Sequence, residues 1–354
     1  MFLKIRNVRA HVFFADRDTL PVFVDNSFWA SGASGIPNTF MGLVEENLKS
    51  TRKPYFSMIV DIMGTRVGDI AFLYEKEVGF HGVFKITGRP FFDPTPVGAI
   101  GEAMPIRVEI EYLNHFADLV PEDLLFSTKE YETKSWGWFY NTVHGSRGVT
   151  TINPECAESL IELLVKINGS AVAGKPAQIK PYVSKNKAEL MLPLGKEGKV
   201  YSEDTMRAWL IWNIDNANKR DLRDIFGPID DLEWFANNVP YYVTKKNNID
   251  ILCFHKSSTY TGLPLRYRFT VAELRKDTAS AGDVSQLISY SKWVAGRLAG
   301  GEIETVQPIL IAFDFSEGAI TKARNSDFND RGIRFIRYRV EANDLVFANV
   351  DIQE

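Results

Sequence analysis

The run Val271 to Gln286, VAELRKDTASAGDVSQ, leads from an apolar strand into a helix and sets Glu273 just ahead of two cations, Arg275 and Lys276. A second apolar stretch, Ile249-Asp250-Ile251-Leu252, carries a carboxylate of its own. Burying an unpaired charge is costly, so a core strand does not ordinarily carry Asp or Glu. Two such strands, each with one carboxylate, suggest a place where a divalent cation meets a phosphodiester. Hydrolysing that ester requires neutralising the charge that develops on it and producing hydroxide at neutral pH, and a Mg²⁺ (or Mn²⁺) ion does both. Mg²⁺ takes hard oxygens, typically one or two carboxylates with water and substrate phosphate. Asp250 and Glu273 are the candidate ligands, Glu203 on the preceding helix is a third, and a nearby cation would orient water or stabilise the transition state. A plainer reading stands beside this one. The carboxylates would be strand-edge partners of Arg268 or Arg275, and Glu203 would favour the first turn of its helix electrostatically.

The elements that must position these residues alternate. A helix over 202–217 starts at Ser202 and carries Met206, Trp209, Leu210 and Ile214 on one face. Strands follow at 249–254 and 267–274, then a helix at 283–299, a strand at 306–313, a helical stretch near 316–324 and a strand at 333–340. Gln286, Tyr290, Trp293 and Arg297 share one face of the 283–299 helix. The pattern predicts an α/β core with a mixed sheet. No GxGxxG or GxxxxGK[ST] occurs, so a nucleotide cofactor is not indicated.

The order Asp, Glu-x-[Lys/Arg], Gln-x-x-x-Tyr within roughly 200–345 resembles the PD-(D/E)xK nuclease superfamily, RecB-like archaeal endonucleases and restriction-type enzymes above all. The resemblance implies a restriction-endonuclease-like core. Asp250 and Glu273 would be its metal ligands, Glu203 the helical glutamate before the core, and Gln286 and Tyr290 the QxxxY pair. It also places Gln286 against water or backbone, and Tyr290 and Arg297 along the nucleic-acid backbone. The family's lysine belongs two residues after the glutamate, where this chain has Arg275; Lys276 stands one further on. Arginine stays protonated and is no general base. In an ideal strand Lys276 points to the opposite face, so its use requires a bulge or a strand end there.

The N-terminal part reads as short β-branched and aromatic strands at 9–14, 69–74, 80–86 and 106–112, with helices at 38–49 and 154–167, the latter capped by Asn153 with Pro154 at its first position. Residues 68–93, with FWASGASGIPN (28–38) and IRVEIEY, resemble PUA-like domains of the EVE and YTH kind over 1–165. That likeness implies an α+β barrel that reads a modified base flipped into an aromatic cage. Trp29 is the foremost cage candidate, followed by Trp136, Trp138, Phe91 and Phe92, with Ser31, Ser34 and Asn38 as partners for a base edge. Each aromatic reads equally as ordinary packing.

Residues 166–200 are rich in Gly, Pro, Ser and Lys, with seven lysines against two glutamates over 166–199, and read as a linker between 1–165 and 201–354. Net charge is −4, and Arg331, Arg334, Arg337 and Arg339 crowd one late strand. No apolar run is long enough to span a membrane. Cys156 and Cys253 form no zinc or disulfide pattern, and His81, His115 and His144 keep no metal-ligand spacing. A reduced, cytoplasmic protein is expected.

Together these readings predict a Mg²⁺-dependent DNA endonuclease of the restriction or defence type, addressed to modified bases, single-stranded DNA included. A cut through both strands would favour a homodimer. The rival expectation is a nucleic-acid-binding protein that does not cleave.

Overall fold

The computed structural model describes residues 9–31, 54–98, 100, 104–114, 116–135, 148–169, 182–184, 186–242, 245–256, 267–326, 328 and 332–352. The chain forms two compact units, Met1–Leu192 and Pro193–Glu354. The boundary falls inside the Lys/Gly/Pro-rich stretch. The expected helix at 38–49 lies outside the described residues, as do Ser34, Asn38, His115, Trp136, Trp138, His144 and Arg331.

The first unit runs β1 (Ala10–Ala15), α1 (Thr19–Asn26), β2 (Phe28–Ser31), α2 (Pro54–Met63), β3 (Ile70–Glu75), β4 (Gly79–Ile86), β5 (Phe91–Phe92), β6 (Ile106–Asn114), β7 (Val120–Pro121), α3 (Glu122–Ser127), α4 (Lys129–Lys134), β8 (Val149–Ile152), α5 (Pro154–Asn168) and β9 (Ala188–Glu189). Its sheet is ordered β8-β1-β3-β4-β6-β5-β9, with β2 on β6 and β7 on β4. It is mixed, because β1 pairs parallel with β3 and antiparallel with β8. Among the described residues it is also open, where a closed barrel was expected. The long strand β6 accounts for this. Its first half pairs with β2 and β5 and its second half with β4, so the sheet forks there. Helix α5 seals one side, with Cys156, Leu160, Leu163 and Leu164 packed on Val12, Phe72, Tyr74 and Phe80. Pro154 opens that helix, but the Asn153 side chain makes no cap and donates instead to the Lys134 carbonyl at 2.6 Å.

The second unit runs β10 (Gly195–Lys196), β11 (Lys199–Val200), α6 (Glu203–Asn213), α7 (Arg220–Phe226), β12 (Leu232–Tyr242), β13 (Lys245–Lys256), β14 (Tyr267–Ala279), α8 (Ala281–Leu298), β15 (Val306–Phe315), α9 (Glu317–Arg324), β16 (Arg334–Glu341) and β17 (Asp344–Val350). Among the described residues β12 to β17 form a six-stranded sheet in sequence order. β12, β13 and β14 are antiparallel, β14, β15 and β16 parallel, and β17 antiparallel to β16. The two parallel steps need crossovers, which α8 and α9 supply.

The middle strands are apolar on both faces because both faces are covered. Met206, Leu210 and Ile211 of α6, with Leu222 and Phe226 of α7, pack on Ile251, Cys253, Ala272, Leu274, Ile309 and Ile311. Helix α8 packs on β14 and β15 with Val284, Leu287, Tyr290 and Val294 buried. Strand alternation therefore turns Leu274 toward α6 and Glu273 toward α8. Ser202 caps α6 by accepting from the Thr205 N–H at 3.1 Å. The helix ends at Asn213, four residues short of expectation, where the Asn213 amide turns back to the Trp209 carbonyl at 3.0 Å.

His255 on β13 is fully buried, and burial, with Arg268 adding, presses its pKa from 6.5 to about 4. The unfolded chain therefore binds more protons between those values, so stability falls as pH drops from about 6.5 to about 4. The full shift corresponds to roughly 3 kcal/mol. Urea unfolding at pH 7 and pH 4 is expected to show this loss in the wild type and a much smaller one in His255→Gln.

No helix among the described residues is long and apolar enough to cross a membrane.

Candidate functional site

The antiparallel pairing of β13 with β14 sets Ile251 opposite Ala272. The ladder ends at that pair, and Asp250 and Glu273 are the next residues on the two strands. The Leu274 N–H donates to Asp250 Oδ2 at 2.8 Å. Glu203, in the first turn of α6, accepts from the Lys276 backbone N–H at 3.4 Å. Three elements thus bring the three predicted carboxylates to the end of the β13–β14 ladder, midway along β14.

Their electrostatics reflect the crowding. Glu273 is 1% exposed, and burial followed by the charge of Asp250 raises its pKa well above the carboxylate range. Burial also raises Asp250, against the pull of Arg207, and raises Glu203, with Asp250 adding to the effect. Glu273 Oε2 is buried and has no hydrogen-bond partner among the described residues.

Two arginines offset this negative charge. Arg275 Nη2 pairs with Glu273 Oε1 at 2.7 Å, its Nε with Asp283 Oδ1 at 2.5 Å, and its Nη1 donates to the Leu274 carbonyl at 2.8 Å. Asp283 also closes the capping box of α8 with Ser280. Arg207 Nη1 donates to Asp250 Oδ1 at 2.8 Å and to Asn238 Oδ1 at 2.6 Å, and Nη2 pairs with Asp204. Both predicted carboxylates are therefore ion-paired, Glu273 with the expected Arg275 and Asp250 with Arg207, which the sequence reading missed. The local signal was Asp204-x-x-Arg207, an i, i+3 pair on one helix face.

Gln286 Nε2 donates to Glu273 Oε1 at 2.9 Å and to the Tyr290 hydroxyl at 2.7 Å. Tyr290 was expected along a nucleic-acid backbone. It is 1% exposed and instead fixes the orientation of Gln286. Arg297 is exposed in the last turn of α8, about 16 Å along the helix axis from Gln286, too far to act on the same phosphate.

Register settles a point about Lys276. Arg275 pairs with Ala312 and Thr278 with Asp314, so β14 holds one extra residue at 276–277, a β-bulge. Strict alternation therefore lapses where Lys276 sits. Lys276 is half-buried, and its ammonium has no hydrogen-bond or ion-pair partner among the described residues.

The donor atoms are hard oxygens, the type a divalent cation takes. Asp250 and Glu273 offer two carboxylates from adjacent strands, and Glu273 keeps one buried oxygen unspent. Among the described residues no group of three or more His, Cys, Asp or Glu side chains is placed to hold a metal ion, so one bound here would rest on the carboxylate pair and water.

In the first unit the Trp29 ring, the foremost cage candidate, is 1% exposed. It stacks on Phe13 at 4.9 Å, and its N–H donates to the Phe14 carbonyl at 2.7 Å. Phe91 and Phe92 are likewise buried. These rings build the core. Ser31 is half-buried, its hydroxyl 3.9 Å from the Met58 sulfur. Two buried polar clusters went unread in the sequence. Asp93 accepts the Thr95 N–H at 2.9 Å and the hydroxyls of Tyr182 and Ser184, which hold its pKa at about 2 against burial. Arg107 lies against the Tyr182 and Phe28 rings, 5.2 and 5.3 Å from their centres. His11 sits between Asp69 at 2.8 Å and the Thr151 hydroxyl at 3.1 Å.

No family model matches the chain, and no curated protein matches it. Among solved structures, a protein from Pseudomonas putida is 14% identical over 44% of this chain and 99% of its own, with a TM-score of 0.28. Human THYN1, solved in complex with DNA containing 5-methylcytosine, is 13% identical over 44% of this chain and 97% of its own, with a TM-score of 0.26. A hypothetical protein from Leishmania major is 10% identical over 45% of this chain and 96% of its own, with a TM-score of 0.27.

Proposed function

We propose that the second unit is a divalent-metal-dependent nuclease acting on DNA phosphodiesters, and that the first unit addresses it to modified bases. The carrying observation is the buried, unpartnered Oε2 of Glu273 beside Asp250. Such an oxygen is costly unless it has a ligand to meet. Asp250 and Glu273 hold Mg²⁺ or Mn²⁺, and Glu203 adds negative potential from the helix side. The bound ion supplies Lewis acidity and a water of lowered pKa. Gln286 and Arg275 both hold Glu273 through its Oε1, which leaves Oε2 for the ion. Lys276, free to leave the strand's alternation, orients water or the attacked phosphate.

The test is cleavage of modified and unmodified DNA, single- and double-stranded, with Mg²⁺ and Mn²⁺, in competition with RNA of the same sequence. Cuts by the wild type that vanish in Glu273→Gln support the reading. Equal binding by both proteins with no cut in any substrate sinks it.

One observation favours a second reading, a nucleic-acid-binding protein that does not cleave. Both carboxylates are already ion-paired, Glu273 by Arg275 and Asp250 by Arg207. The same assay separates the two.

Metal binding must also depend on pH in a definite direction. A ligand carboxylate binds deprotonated, and Glu273 holds its proton to higher pH than an ordinary glutamate. Without metal, its contribution to stability falls as pH rises above the usual carboxylate range, because there the folded state binds more protons than the unfolded one. Added Mn²⁺ is therefore expected to raise Tm more at pH 8 than at pH 5.5. Thermal shifts at the two pH values check this, and an equal or reversed response would remove Glu273 from the ligand set.

A further inference from the structure

Strands β14 to β16 of the second unit end beside cations that have no place in the carboxylate centre. Arg339, on β16, directs Nη1 to two neutral acceptors, the carbonyls of Phe313 at 2.5 Å and Tyr338 at 2.7 Å. Its guanidinium carbon lies 3.8 Å from the centre of the Phe313 ring, and it has no carboxylate partner among the described residues. The Nε–Nη2 edge stays free, and this is the fork that matches two oxygens of a phosphate.

Lys199, at the start of β11, places its ammonium 4.3 Å from the centre of the same ring. It also meets Asp277 at 3.1 Å, in a pair whose side chains are 40% and 66% exposed. An ion pair that exposed contributes little, so Lys199 can exchange Asp277 for another anion at small cost. The aromatic ring holds both cations extended before any ligand arrives, which lowers the ordering cost of binding.

Two contacts place this pair beside Lys276. The Val340 N–H donates to the Gly198 carbonyl at 2.9 Å, fastening the β10–β11 hairpin to β16. The Tyr338 hydroxyl donates to the Lys276 carbonyl at 2.6 Å and accepts from the Val200 N–H at 3.4 Å, so one side chain ties hairpin, strand and bulge together. Of the other nearby carboxylates, Asp314 is matched by Arg337 at 2.9 Å and Glu203 meets the Lys276 N–H.

We infer that Lys199 and Arg339, spread over Phe313, clamp the phosphodiester backbone of a nucleic-acid strand where it passes the bulge at Lys276. The occupant is a polyanionic strand because two cations share one ring beside the bulge that carries Lys276, and one of them presents a phosphate-matching fork. The clamp deepens the nuclease reading, on which it rests for the strand's destination, but binding alone reads it out.

The full chain is titrated in EDTA against a labelled DNA oligonucleotide of about 20 nucleotides, by anisotropy over a range of salt. Arg339→Ala and Lys199→Ala are each expected to weaken binding about tenfold and to lower the salt slope by about one. Arg339→Lys keeps the charge without the fork and falls between. Asp277→Asn removes the competing carboxylate and tightens binding. Unfolding midpoints confirm that the variants are folded. The clamp is overturned if folded Arg339→Ala and Lys199→Ala bind within about twofold of wild type with the same slope, or if the wild type binds no strand. Binding that depends on both cations, without a cut in Mg²⁺ or Mn²⁺, upholds the clamp and removes the nuclease reading.

Discussion

Glu273→Gln is expected to lower metal-dependent DNA cleavage by on the order of a thousandfold or more while leaving the protein folded. The substitution replaces one oxygen by an amide nitrogen and changes almost no volume. In the ion-free protein Glu273 already favours its neutral form, since burial and Asp250 both raise its pKa. A neutral glutamine therefore suits the site, and metal-free Tm should be unchanged or higher. What disappears is the charge that a divalent ion needs, together with the unspent Oε2. Single-turnover rates with saturating enzyme measure the loss, and a Mn²⁺ thermal shift shows whether metal binding went with it. A rate within about tenfold of wild type would take Glu273 out of the reaction. Arg275→Ala tests the neighbouring element and should fall short of that loss. Its guanidinium is tied to Asp283 and the Leu274 carbonyl as much as to Glu273, a holding role rather than a reacting one.

How much of this could be read from residues alone depends on where the information lay. Asp250, Glu273 and Gln286 were legible because each breaks a local rule, a charge in a buried strand or an amide on the face that covers it. The strands and helices between 249 and 340 were legible because their apolar periods are long, whereas the edge strand β17 was not. Arg207 and Asn238 were not. Arg207 reaches Asp250 across 43 positions. Asn238 faces Asp250 through the pairing of β12 with β13, and its backbone takes a left-handed φ of 52° within the strand. A bulge is equally silent in sequence, yet the one at 276–277 decides whether Lys276 is bound by strand alternation. The aromatic residues of the first unit misled for the opposite reason. A tryptophan in a Ser/Gly-rich loop looks exposed, but Trp29 lies in β2, against Phe13 and Phe23, where packing claims it.

Arg207→Ala should be the most damaging single change to the stability of the second unit. Arg207 is 7% exposed and divides one guanidinium among Asp250, Asn238 and Asp204. Removing it leaves Asp250 largely buried beside Glu273, with the Leu274 N–H and the more distant charge of Arg275 for compensation. Breaking a buried pair from one side costs about 3–5 kcal/mol, because the surviving charge keeps its desolvation penalty. The pH dependence gives the cause away. Asp250 has a raised pKa even with Arg207 present, so in the variant it binds a proton more readily still, and the deficit must shrink as pH falls. Urea unfolding at pH 8 and pH 5 should show the larger loss at pH 8. Arg207→Lys should recover only part, since one ammonium cannot span three acceptors as a planar fork does. Asp250→Asn in the Arg207→Ala background should restore most of the stability, giving a coupling of at least about 2 kcal/mol in the double-mutant cycle. Additive losses would mean that Arg207 serves the packing of α6 and not the charge on β13.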